Sequence, residues 1–98
     1  MAEIIWSLQS VEDLKNIYRF IEHDSKINAV RVISGIRKST QLLKQNVVIG
    51  KELSQICKAE YRQLVHQRFL IIYRVKAPDL VEIITMHHSS QNLIGRKI

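Results

Sequence analysis

Residues 61–88, YRQLVHQRFLIIYRVKAPDLVEIITMHH, decide how this chain folds. They hold three short runs rich in β-branched and aromatic side chains, Tyr61–His66, Phe69–Val75 and Leu80–His87. Such residues suit a pleated, half-buried surface, so each run predicts a strand. Between the last two, Lys76-Ala77-Pro78-Asp79 puts Pro and Asp at turn positions, and the two runs pair as an antiparallel hairpin. Phe69, Ile71, Tyr73 and Val75 share one face of the middle strand, and Leu70, Ile72 and Arg74 share the other. Both faces are largely apolar, which predicts a central position in a sheet.

Upstream, Glu3–Ser7 has the same short β-branched and aromatic character and predicts a first strand. Ser10 and Asp13 form an S-x-x-D pattern, whose Ser side chain satisfies free N–H groups at a helix start. Behind it Val11, Leu14, Ile17, Tyr18 and Ile21 share one face at a 3.6-residue period. Lys15, Arg19 and Glu22 face elsewhere, so the pattern predicts an amphipathic helix ending near His23. Asp24 and Ser25 read as turn and cap, and then Ala29, Ile33, Ile36, Thr40 and Leu43 recur at alternating spacings, widened by Val32 and Leu42. So short a connection makes the two helices antiparallel neighbours. Gly35 inside the second helix costs about 1 kcal/mol relative to Ala, which points to another backbone close by or to a weak point. Val47–Ala59 has no sustained periodicity and reads as a connecting segment around Gly50. The sum is an α+β fold: a β-strand, an α-helical hairpin, then a three-stranded antiparallel sheet packed on the helices. Helices cover one face of such a sheet and leave the other, with Arg74, partly exposed.

Ninety-eight residues and 11.5 kDa hold one core, so residues 1–98 form a single domain. With 46% hydrophobic and 24% charged residues the chain is globular rather than disordered. A single cysteine, Cys57, excludes a disulfide-stapled scaffold and a Cys-rich zinc site and suits a reduced, cytoplasmic setting. MAEIIWSLQS lacks the basic and apolar regions of a signal peptide, and no apolar run approaches the ~18 residues of a membrane span. The expectation is a cytoplasmic protein without a membrane partner. The formal charge of +6 favours polyanionic or acidic partners. It divides into +1 over residues 1–43 and +5 over residues 44–98, so the second part is the expected anion-facing region.

The order strand, helical hairpin, three strands resembles the RelE/ParE superfamily of toxins from type II toxin–antitoxin modules. The residues that carry the resemblance are the tryptophan in IIWS, DLKNIYRFI, DSKINAVRVISGI, GKEL, YRQLV, FLIIYRV and VEIITMHHSSQNL, in that order over nearly the full chain. The resemblance implies a toxin of a plasmid-stabilising or growth-arresting module, held in a hetero-oligomer by a cognate antitoxin. Members of the superfamily act in two ways: ParE-like ones bind DNA gyrase and trap it on cut DNA, and RelE-like ones cleave mRNA in the ribosome. The helical hairpin and the Y-R-V strand look closer to ParE, so gyrase is the first expected target and the ribosome with its mRNA the alternative. Two departures stand out. The family's Y-R-I-I-Y reads Phe69-Leu70-Ile71-Ile72-Tyr73 here, without the arginine, and its closing H-G-x-R-D-like segment reads His87-His88-Ser89-Ser90-Gln91-Asn92.

Metal-independent RNA cleavage needs a base for the 2′-OH, an acid for the leaving oxygen and cations for the phosphate. Under that alternative the catalytic candidates are Glu52, Arg62, His87 and His88, with Glu60 as another base. Glu52 and Arg62 lie near the places where YoeB-type members carry a catalytic Glu and Arg, and His87-His88 near their terminal His-Tyr, although the tyrosine is absent. RelE's dense lysine set is absent too. Lys51, Lys58, Arg62, Arg68 and Arg74 are the candidates for binding nucleic acid or the antitoxin, since guanidinium groups grip phosphate and carboxylate bidentately. Adjacent on a strand, His87 and His88 point to opposite faces and cannot share one metal, so neither a metal nor a cofactor is expected. Ser89 and Ser90 lack an orienting acid and an oxyanion hole and read as turn formers. Trp6 and Tyr73 read as packing residues, and Arg31, Lys38, Arg37 and Lys44 as a solvated helix face.

Overall fold

In the computed structural model, which describes residues 2–53 and 61–88, the three predicted strands form one antiparallel unit. The elements in chain order are β1 (Glu3–Trp6), α1 (Leu8–Glu22), α2 (Lys26–Gln41), β2 (Lys51–Glu52), β3 (Tyr61–His66), β4 (Phe69–Ala77) and β5 (Leu80–His88). A short 3-10 turn, Leu42–Lys44, closes α2. The sheet order is β1-β5-β4-β3-β2, with the apolar β4 in the middle.

The sheet is larger than the three strands read from the sequence. β1 returns to pair parallel with β5, Glu3 opposite Leu80 through Trp6 opposite Ile83. β2 adds two residues antiparallel to β3 inside the predicted connecting segment. Two residues are too few to show alternation, so Lys51 and Glu52 carry no readable strand signal. The hairpin of β4 and β5 also carries two irregularities. Ile72 faces Thr85 but Tyr73 faces Ile83, leaving Ile84 unpaired with β4, and Lys76 is skipped between Val75 and Ala77. An extra residue of this kind re-aims the side chains beyond it.

Both helices lie on the face that carries Ile71, Tyr73, Val81, Ile83 and Met86. Val32, Ile36 and Leu43 press on these from α2, while Leu14, Ile17 and Ile21 of α1 and Ile4 and Trp6 of β1 close the margins. Ile36, Ile71 and Ile83 are fully buried, each contributing about 1.5–3 kcal/mol by removal from water. Leu42, read as part of the buried stripe, is exposed because the 3-10 turn rotates it outward. Of the predicted stripe on α2, Ala29, Ile36 and Thr40 are buried, and Val32 is buried more deeply than Ile33.

The helix caps follow the expected chemistry with one shift. Ser25 caps α2 by accepting from the Asn28 N–H. Helix α1 starts three residues earlier than predicted: Ser7 accepts from the Ser10 N–H, and the Ser10 hydroxyl donates back to the Ser7 carbonyl. Ser7 and Ser10 stand in the same relation as Ser10 and Asp13, so the spacing alone did not choose between them. Gly35 meets the His66 side chain rather than another backbone, since a Cβ there would lie 2.2 Å from His66 Nε2.

Candidate functional site

The residues proposed from sequence fall into three places. The first is the outer sheet face, away from the helices. Arg74 lies over the Tyr61 ring, 5.8 Å from its centre, and the two are direct cross-strand partners. Glu82 faces Arg74 across the hairpin and pairs with Lys76 at 3.4 Å. Lys51 is exposed, opposite Gln63 and hence on the same face as Ile72 and Arg74. Arg68 is exposed in the two-residue turn that joins β3 to β4, next to Gln67 with its positive φ of 55°. Lys58 and Glu60, with Cys57, Ser89 and Ser90, lie outside the described residues. This face can engage anions through Lys51 and Arg74 and offers the Tyr61 ring of β3 beside Arg74.

The second place is the junction of β2 and β3. Glu52 and Arg62 are direct cross-strand partners, and Arg62 faces Tyr73, so both belong to the face that carries the core. Arg62 is not presented to solvent as a free cation. Its Nη1 donates to the Gly50 carbonyl at 2.8 Å and to the Val48 carbonyl at 3.4 Å. The buried Tyr73 hydroxyl completes the clamp, donating to the Val47 carbonyl and accepting from the Gly50 N–H, both at 2.9 Å. Burial pushes the Tyr73 phenol above its ordinary 10.0, opposed by the Gly50 hydrogen bond and the Arg62 charge, so it stays a neutral donor. Four polar groups of residues 47–50 are thus satisfied from β3 and β4. His66, at the far end of β3, is likewise occupied: its Nδ1 is 3.3 Å from the Ser39 hydroxyl, and its ring fills the space that Gly35 leaves.

The third place is the C-terminal end of β5. Because β1 stops at Trp6, the β5 edge beyond Ile83 is met by side chains. The Ser7 hydroxyl donates to the Ile84 carbonyl, and Asp13 of α1 accepts from the Met86 N–H and from the Thr85 hydroxyl. Gln9 donates to the other Asp13 oxygen at 2.8 Å. Three donors therefore converge on this one carboxylate and tie α1 to the edge of β5. Asp13, read from sequence as a cap partner, is therefore the bolt between α1 and the sheet; its place one turn before the core residue Ile17 is the signal for that role. His87 and His88 point to opposite faces as expected. His88 sets its ring edge-on to Phe69 at 5.2 Å, and His87 is opposite Leu70. His87 is buried, and its Nδ1 is the one buried side-chain nitrogen or oxygen among the described residues with no hydrogen-bond partner. Burial lowers its pKa from 6.5, with the Asp13 carboxylate pulling the other way. A groove of about 690 Å³ runs between α1 and this end of the sheet, walled by Asp13, Asn16, Ile17 and Phe20 on one side and by Phe69 and Met86 on the other. His87 lines it too. Sequence reasoning missed the groove, and exposed Phe20 on an amphipathic helix was its only mark.

The structure does not assemble the proposed catalytic set. Arg62 and Glu52 lie on the core-bearing face, His87 lies on the other, and β4 separates β3 from β5. His88 shares the core-bearing face but pairs with Phe69, whereas Arg62 pairs with Tyr73 four residues along β4. Among the described residues no three His, Cys, Asp or Glu side chains come together as a metal site, and no helix is long and apolar enough to cross a membrane.

Residues 4–93 match the family model described as the ParE toxin of the type II toxin–antitoxin system parDE. Among solved structures, the chromosomal ParDE system from P. aeruginosa contains a chain with the same fold: TM-score 0.73, 20% identity, covering 90% of this chain and 96% of that one. YafQ from E. coli strain BL21(DE3) is similar as well, with TM-score 0.65, 17% identity and coverage of 94% and 98%. No curated protein matches at the level of sequence.

Proposed function

This chain belongs to the ParE toxin family of type II toxin–antitoxin systems, and on that premise we propose that it arrests growth by binding DNA gyrase. In this reading a cognate antitoxin, made beside it in the cytoplasm, keeps it silent in a hetero-oligomer, and loss of the antitoxin releases it, as plasmid stabilisation requires. The observation that supports gyrase over RNA is the dispersal of the would-be nuclease residues. Acid–base cleavage needs groups within hydrogen-bond reach of one phosphate, and Glu52 with Arg62 stands on one face of the sheet while His87 stands on the other. Arg62 also directs its Nη1 to two loop carbonyls. Binding gyrase asks for a complementary surface and no such constellation. The outer face, with Lys51 and Arg74 and a net charge of +5 on the second half of the chain, supplies a cationic surface for an acidic protein patch or for the DNA that gyrase holds.

One observation favours ribosome-dependent RNA cleavage as the second reading. Arg74 stacked on Tyr61 is a cation beside an aromatic platform, which suits single-stranded RNA. Inducing the toxin without antitoxin and mapping mRNA ends separates the two. Gyrase binding predicts growth arrest without new codon-phased ends. Codon-phased ends that vanish in His87→Ala would contradict it, and unimpaired growth would remove the toxin activity altogether.

A further inference from the structure

The loop between α2 and β2 is fastened on every side, and what it holds out to solvent is apolar. Val47 packs against the core, and Gly50 is buried against the Tyr73 hydroxyl. Between these two anchors Val48 and Ile49 stand outward, 53% and 47% exposed. The backbone around them has little left to give. The N–H groups of Val48, Ile49 and Gly50 donate to the Asn46 side chain, the Asn46 carbonyl and the Tyr73 hydroxyl. The carbonyls of Val47, Val48 and Gly50 accept from Tyr73 and Arg62. The tip therefore offers a partner two aliphatic side chains and almost no polar chemistry. Single exposed apolar residues are ordinary on a protein surface. A consecutive pair on a loop tied down from both sides is a preformed anchor, because binding then has few new torsions to order.

We propose that Val48 and Ile49 are the apolar anchor by which this chain seats on gyrase, entering a shallow apolar pocket rimmed by acidic side chains. The proposal rests on the gyrase reading and names the contact within it. Charge selects the rim. Residues 37–51 carry Arg37, Lys38, Lys44 and Lys51 and no Asp or Glu, and Arg62 brings its guanidinium to the loop at 2.8 Å from the Gly50 carbonyl. An acidic partner surface would be drawn to that stretch and would reject a cationic one. Position selects the site as well. Lys51 follows Gly50 directly and lies on the outer sheet face, so the tip is continuous with the cationic surface already assigned to gyrase. An aliphatic pair has no ring to stack on a base, which favours a protein pocket over single-stranded RNA.

The test is binding of the purified chain to immobilised purified gyrase, followed as association and dissociation rates at several salt concentrations. The double variant Val48→Ala/Ile49→Ala is expected to raise Kd at least about tenfold, with a Tm matching the wild type. Ile27→Ala/Val30→Ala removes a comparable pair on α2, 71% and 54% exposed, beside the mixed charges of Glu22, Asp24, Lys26 and Arg31; it is expected to leave Kd unchanged. Lys44→Gln/Lys51→Gln should slow association several-fold at low salt and flatten its salt dependence. Binding by Val48→Ala/Ile49→Ala equal to wild type, equal losses in both apolar pairs, or an association rate indifferent to salt would overturn the loop and leave the gyrase reading standing. A wild-type chain that ignores gyrase and binds purified ribosomes instead would overturn both.

Discussion

Two polar regions of the sheet look equally chemical in sequence and behave differently in structure. At the β2–β3 side, Arg62, Tyr73 and His66 all find partners within the chain, and their chemistry is consumed in holding residues 47–50 and α2 against the sheet. At the end of β5, Asp13 satisfies the edge but His87 is buried with one nitrogen unpaired beside an open groove. The difference shows that a cation or an imidazole becomes available for function only when the fold leaves its hydrogen bonds unspent.

Substitutions on the clamped side should therefore cost stability. The largest effect is expected from Gly50→Ala. A Cβ there would lie 2.6 Å from the Tyr73 hydroxyl and 2.8 Å from the Gln63 carbonyl, and overpacking against backbone costs about 3 kcal/mol. A calorimetric Tm lowered by roughly 12–24 °C would bear this out, and an unchanged Tm would break the clamp. Tyr73→Phe, which strands the Gly50 N–H and the Val47 carbonyl, should cost about 2 kcal/mol in urea unfolding, with faster amide exchange confined to residues 47–52. Arg62→Ala should cost about 1 kcal/mol while growth arrest persists; a stable Arg62→Ala protein without toxicity would turn the clamp into a catalytic site.

Smaller still is the pH response of His87. Because its folded pKa lies below 6.5, the unfolded chain binds the extra proton first. Stability is full above pH 6.5 and declines as pH falls towards the folded value. Chemical denaturation at pH 7.5 and at pH 5.5 should show that decline in the wild type and less of it in His87→Leu; equal declines would place the titrating group elsewhere. Gly35→Ala gives the least change, since its helix-propensity gain of about 1 kcal/mol is offset by displacement of the His66 ring. The double variant with His66→Ala should recover part of that gain.

The fold was legible wherever the hydrophobic pattern ran for five or more residues. β3 has the predicted bounds, β4 and β5 start where predicted and run one or two residues further, and the helices of α1 and α2 have ends shifted by one to three residues. The pairing of β1 with β5 was not legible, because it joins residues 3–6 to residues 80–83 across the whole chain and no local signal marks the partner. The skipped Ile84 was hidden for a related reason: alternation in Leu80–His88 is blurred by apolar residues on both faces. For the site, residue types misled more than positions did. Arg62 carries the chemistry of a phosphate ligand, and nothing within four residues reveals that Val48 and Gly50 take it. Asp13 and Ser10 were read as one capping pair, although Ser10 completes the cap that Ser7 makes and Asp13 reaches the sheet. Arg74 on the exposed face and the opposed His87 and His88 followed directly from strand alternation.

The most direct measurement is DNA supercoiling by purified gyrase in the presence of the purified toxin. Inhibition with accumulation of cleaved DNA, reversed by the antitoxin and retained in Arg62→Ala, is the result that the dispersed arrangement of Glu52, Arg62 and His87 predicts. Undisturbed supercoiling, together with codon-phased cleavage of mRNA on purified ribosomes that Arg62→Ala or His87→Ala abolishes, would contradict it.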